Sequence, residues 1–229
     1  MKSPSESFAQ WSESTRLLPQ AVSRRVVAVV VVLLLAAVYV TATHFHIERV
    51  NTEILKADQG SYVYYARQMN ETRYAYVGGR NQMPVMPFLV SLVDLYGTTT
   101  ETLFERGKRL NVGISLCVLV GIAWLVRRSV PAFETAVMTA IVAFSLYVYR
   151  AGYVQAELLF YGLFFLAFLL ALWWMNEPRP LRAVACGIVL GIAYLTKASV
   201  LPLLFATNLA RVLRRLKENG VWLAKMLRS

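Results

Sequence analysis

Long apolar runs, cut by short polar stretches, set the pattern of this chain. Residues 26–43 are almost entirely Val, Leu and Ala. Comparable runs follow at 110–126, 131–149 and 158–174. A run of roughly 20 apolar residues is long enough to cross a bilayer as a helix. Pro131 suits the first turn of the third such helix. The last apolar region, 183–210, is interrupted by Lys197 and Pro202. It reads either as one tilted span or as two short spans hinged near those residues. The second reading is favoured, because it returns the basic residues Arg211, Arg214, Arg215 and Lys217 to the side of the basic leader. The expectation is an all-α polytopic membrane protein with six passes, the last two short, and Lys197 at the outer surface.

The segment 44–108 breaks this pattern, being long, polar and nearly balanced in charge. Within it, Asp58, Tyr62, Tyr65, Ala66 and Met69 recur at helical spacing and predict a helix with one ordered face. Such a helix would lie along the interface, with its tyrosines at headgroup depth. Gly78-Gly79 then breaks the chain. Residues 83–96 are too short to span, and predict a second interfacial or re-entrant piece that Gly97 ends. Thr98 with Glu101 fits a capping box that opens the second long helix.

Composition agrees with the pattern. Of 229 residues, 57% are hydrophobic, more than a soluble domain of this length carries. The formal charge of +11 would suggest nucleic acid in a soluble protein. Here the basic residues flank apolar runs, so they are read as orienting charges and no nucleic-acid partner is expected. The basic leader, residues 1–25, places the amino terminus in the cytoplasm. It is too long, and the run after it too apolar and extended, for a cleaved signal peptide. Cys117 and Cys186 lie inside apolar runs and predict small buried residues. His44 and His46 lack the further ligands a metal site needs, so no metal or other cofactor is expected. Trp173-Trp174 reads as an interfacial anchor.

Candidate chemistry gathers on the face expected to be outside. Asp58 opens the interfacial helix, Glu157 stands at the head of the fourth span, and Arg80, Gln82 and Lys197 supply cationic or polar groups. Carboxylates beside cations at a membrane surface suit one reaction class. A cation stabilises a lipid-linked phosphate as leaving group while a carboxylate takes a proton from the attacking hydroxyl. Each residue also has a plainer reading. Asp58 is then a solvated charge, and Glu157 a carboxylate at a helix amino terminus. Arg80 contacts lipid phosphates, and Lys197 snorkels.

The stretch 58–69 resembles the first outer loop of the membrane-embedded GT-C glycosyltransferases, in particular the protein mannosyltransferase and aminoarabinose transferase-like group (glycosyltransferase family 39). Those loops read Asp-Glu-x-x-Tyr followed by Ala-Arg, matched here by Asp58, Tyr62, Ala66 and Arg67, with Gln59 in place of the second acid. Residues 83–89 resemble the group's proline-rich stretch, Gln155-Ala156-Glu157 its second acidic site, and residues 191–197 its Gly-Leu-Ala-x-Leu-Thr-Lys segment. The resemblance spans roughly 26–215, a GT-C-like module containing the outer loop 44–108, with 216–229 left as a cytoplasmic basic tail. It implies a polyprenyl-phosphate sugar donor and transfer on the outer face, usually with inversion. Asp58 would be the base, Glu157 would assist acceptor or sugar, and Tyr62, Arg67, Arg80, Gln82 and Lys197 would bind substrate. The group's habit implies a bacterial plasma membrane. The module matches the amino-terminal half of such enzymes, so a second chain completing the fold is one expectation. A catalytically inactive assembly subunit is the alternative. A transporter would show inverted repeats and mid-membrane charges, and the sequence offers neither.

Overall fold

The computed structural model describes residues 20–75, 83–95 and 98–226. Among these residues there are helices and turns and no strand. The Gly78-Gly79 break, Arg80, Gln82 and Gly97 lie outside the described residues. The chain divides into two units, Met1–Thr41 and Ala42–Ser229.

In the first unit, helix α1 (Gln20–Val50) presents Val29 through Leu34 as exposed side chains. Apolar side chains left uncovered on a helix are what a lipid-facing span presents.

The second unit begins with the end of α1. The helices α2 (Gln59–Glu71), α3 (Val85–Ser91) and α4 (Thr100–Val126) follow. Next, α5 (Ala132–Val142) passes through a π turn (Ala143–Tyr147) into α6 (Val148–Ala151). The chain ends in α7 (Glu157–Asn176), α8 (Pro180–Thr196), a 3-10 turn (Ala198–Val200) and α9 (Leu201–Met226). Among the described residues, four segments are long and apolar enough to cross a membrane: Val29–Val50, Thr100–Val126, Ala132–Ala151 and Glu157–Asn176. The chain is accordingly an integral membrane protein. Its shorter apolar helices are Pro180–Thr196 and Ala198–Leu213.

Several sequence expectations are corrected in detail. The cap of α4 is Thr99, not Thr98: Thr99 Oγ1 accepts from Thr102 N at 3.2 Å. Thr98 turns its hydroxyl back to the Leu95 carbonyl instead. The chain breaks at Lys197, whose backbone is extended (φ −159°, ψ 127°), while Pro202 sits inside the first turn of α9, where a missing N–H costs nothing. Cys186 is buried but Cys117 is exposed on α4. The buried face of α2 is Gln59, Val63, Ala66 and Met69, one step round from the predicted stripe. Asp58 is exposed.

Two cores hold the unit. Small residues on α7 and α8, Ala167, Ala171 and Ala193, pack with Phe160, Leu190 and Val200, and small side chains let helix backbones approach closely in a bilayer. The second core joins Val63 and Ala66 of α2, Met86 and Val90 of α3, Leu103 and Phe104 of α4, and Val154 and Ala156 of the connection before α7. Gly107 makes this fit possible, since a Cβ there would meet Val154 Cγ2 at 3.1 Å.

The ends of α7 define the two ends of its helical group. Glu157, at its start, meets Lys197. Trp174, near its finish, is covered by the Arg211 guanidinium at 4.2 Å, and Trp173 by that of Arg182 at 4.0 Å. Helix α8 therefore runs back from the tryptophan end to the Glu157 end. The 3-10 turn reverses the chain, and α9 returns it to the tryptophans. A single continuous span across 183–210 is incompatible with these contacts.

Candidate functional site

The site lies where two connections meet, the long one between α1 and α4 and the short one between α6 and α7. Helix α2 is fastened on every side. Arg67 donates to Thr98 O and to Thr100 Oγ1, both at 2.7 Å, which ties α2 to the head of α4. Asn70 Nδ2 donates to Ser91 O at 2.9 Å and to Asp94 Oδ2 at 3.3 Å, which ties it to the end of α3. Gln59 joins it to the short connection, as its Oε1 accepts from Val154 N at 2.9 Å.

Asp58 is the amino-terminal cap residue of α2, but its side chain makes no capping bond. Its carbonyl takes that role, accepting from Ser61 N at 3.1 Å and Tyr62 N at 3.3 Å. The carboxylate is left exposed. Ala57 before it has φ 56°, a left-handed conformation that is uncommon without glycine and costs on the order of 1 kcal/mol. Beside Asp58 opens a shallow cavity of about 260 Å³, lined by Leu55, Ala57, Gly60, Ser61, Tyr64 and Tyr65.

Glu157 is the first residue of α7. Its Oε1 accepts from Lys197 Nζ at 2.9 Å, and its Oε2 is buried with no hydrogen-bond partner among the described residues. Lys197 follows the last turn of α8, where the helix ends and frees its side chain to reach across. Two further buried acceptors lack partners among the described residues, Gln155 Oε1 and Asn111 Oδ1.

Tyr62 connects the acids. Burial, then the charge of Glu157, then the charge of Asp58 push its phenol up to about 12, against a pull downward from the Ala156 N–H that donates to it. Two negative charges disfavour a third, so the phenol stays neutral and keeps its proton at physiological pH. The arrangement thus offers an exposed carboxylate, a neutral phenol, a carboxylate with one unshared oxygen, and an ammonium whose one partner among the described residues is that carboxylate.

Of the residues singled out from sequence, Glu157 and Lys197 are bonded to one another, and Tyr62 feels the charges of Glu157 and Asp58. Arg67 is engaged with Thr98 and Thr100. Arg80 and Gln82 are outside the described residues. Sequence reasoning missed Asn51, Lys108 and Asn111, all buried. One signal could have found two of them. Lys108, Asn111 and Ser115 fall at i, i+3 and i+7 at the head of an apolar run, a polar stripe on one helix face. All three are buried. No family model matches the chain, and neither a curated protein nor a solved structure matches it.

Proposed function

We propose that this protein is a membrane glycosyltransferase of GT-C type, or the amino-terminal module of one, that transfers a sugar from a polyprenyl-phosphate donor to an acceptor on the outer face of the membrane. One observation carries the reading: the four sequence stretches that resemble such enzymes converge in space. Val63 and Ala66 of the first stretch, Met86 of the second and Ala156 of the third share one core. Lys197 of the fourth is bonded to Glu157 of the third. Glu157 and Lys197, 40 residues apart in sequence, meet as an ion pair through this convergence.

In this reading the acceptor hydroxyl attacks the anomeric carbon and the bond from that carbon to the phosphate oxygen breaks. The electron pair leaves with the phosphate and the hydroxyl proton passes to Asp58. Lys197, with Arg80, neutralises the departing phosphate, where fixed positive charge acts most strongly. Glu157 Oε2 takes a hydrogen bond from acceptor or sugar. Tyr62 and Gln82 hold substrate, and Arg67 holds the loop that presents Asp58. Six passes, with α8 and α9 as short legs, keep Lys197 on the same face as Asp58. The amino terminus is cytoplasmic and the membrane is a bacterial plasma membrane.

The test is transfer from labelled polyprenyl-phosphate sugars in membranes. Asp58→Asn is expected to lower the rate by roughly 10²–10⁴-fold, the usual contribution of a general base. Equal rates for the variant and the parent would remove Asp58 from the mechanism. If neither transfers any sugar, the alternative of an inactive assembly subunit takes over.

A further inference from the structure

Gln59 and Asn51 are both fully buried, and their amides face one another. Asn51 Nδ2 donates to Gln59 Oε1, and Gln59 Nε2 donates to Asn51 Oδ1, each at 2.8 Å. The remaining capacity is directed outward to three backbone groups on two segments. Gln59 Oε1 also accepts from Val154 N at 2.9 Å, and Gln59 Nε2 also donates to Lys56 O at 3.0 Å. Asn51 Nδ2 donates to Gly152 O at 2.7 Å. Lys108 Nζ, itself buried, holds the Asn51 carbonyl at 3.1 Å. Each side chain donates and accepts at once, which an amide does and a carboxylate, which only accepts, does not.

The two backbones joined here lead directly to the two acids. Asp58 immediately precedes Gln59, and Glu157 lies three residues beyond Val154. The turn into Asp58 is closed by the same group, since Lys56 O receives Gln59 Nε2 while Lys56 Nζ returns to Val50 O at 3.0 Å. We propose that Gln59 and Asn51 are positioning residues: their reciprocal amide pair fixes where the Asp58 carboxylate stands relative to Glu157 and Lys197. The geometric part of this statement stands alone, and its catalytic consequence rests on the transferase reading.

The experiment uses the full chain with Cys117→Ala and Cys186→Ala. Spin labels go on cysteines replacing Ser61 and Ser199, both exposed, so that Asp58 and Glu157 stay intact. Gln59→Met keeps the volume and removes every bond. Asn51→Asp keeps the volume and removes only the two bonds that Asn51 Nδ2 donates, a milder change should the first variant not fold, and thermal unfolding of each variant shows which is folded. Both variants should broaden or shift the distance distribution between the labels. Transfer should fall by roughly 10²-fold in kcat with KM for the polyprenyl-phosphate sugar unchanged, as misplacing a reacting group by about 1 Å does. A distribution with the parent's mean and width in a folded Asn51→Asp variant would overturn the clamp. A changed one with kcat unchanged, in a parent that transfers sugar, would overturn its catalytic consequence. A broadened distribution in a protein whose parent form transfers nothing upholds the clamp and removes the transferase reading.

Discussion

Burial and the charges of both acids act on the Tyr62 phenol. With the folded value pushed up to about 12, against an ordinary value near 10, the unfolded chain releases this proton first as pH rises. Its contribution to stability is therefore whole below about pH 10 and is lost between about pH 10 and 12. Tyr62→Phe should flatten the fall of thermal stability across that window, measured as the difference between variant and parent. A parallel fall in both would place Tyr62 away from the acids. At this scale the sequence was legible where charge marked it. Asp58, Glu157 and Lys197 stand out because ionisable residues beside apolar runs are conspicuous. Asn51 and Gln59 carry no such mark. A neutral amide in a polar loop looks like solvent-facing chain, and only its partners near residues 152–154 reveal it.

The helices themselves were legible from their apolar runs, and their ends less so. The capping bond moved by one residue because Thr98, Thr99 and Thr100 are chemically equivalent candidates, and backbone direction decided among them. The stripe on α2 was read one step off because tyrosines suit either a core or an interface. The π turn at Ala143–Tyr147 inserts its extra residue without any Gly or Pro to announce it. Helix contacts show the same dependence on detail. Gly162 of α7 faces Val118 of α4, where a Cβ would lie 2.7 Å from Cγ1 and 2.8 Å from Cγ2. Valine is stiff about χ1 and cannot turn aside, so the helices themselves must move. Gly162→Ala should destabilise the protein by about 1–3 kcal/mol, the usual cost of overpacking, read from thermal unfolding in detergent. Gly113→Ala, with nothing within 4 Å of the added carbon, should be close to neutral beside it.

For the molecule as a whole, the tryptophan end and the Lys197 end are chemically distinct. Arg128 lies over Trp124 at 3.9 Å, and Arg182 and Arg211 cover Trp173 and Trp174, a cationic aromatic rim that suits the cytoplasmic interface. Orientation is therefore testable in the same cysteine-free background. A cysteine at Leu55, 86% exposed, should react with an impermeant maleimide on intact cells. A cysteine at Arg128 should react only after permeabilisation, and the opposite result would invert the topology. The amide pair has one more consequence, which concerns synthesis. Its partners lie 95 and 101 residues apart in sequence, with α4 and the α5–α6 span between them. While the ribosome is still making those helices, Gln59 and Asn51 have one another but lack Val154 N and Gly152 O. The ion pair at Glu157 waits a further 40 residues for Lys197. The acids are thus held apart from their final company until α8 has been made and Lys197 has followed it.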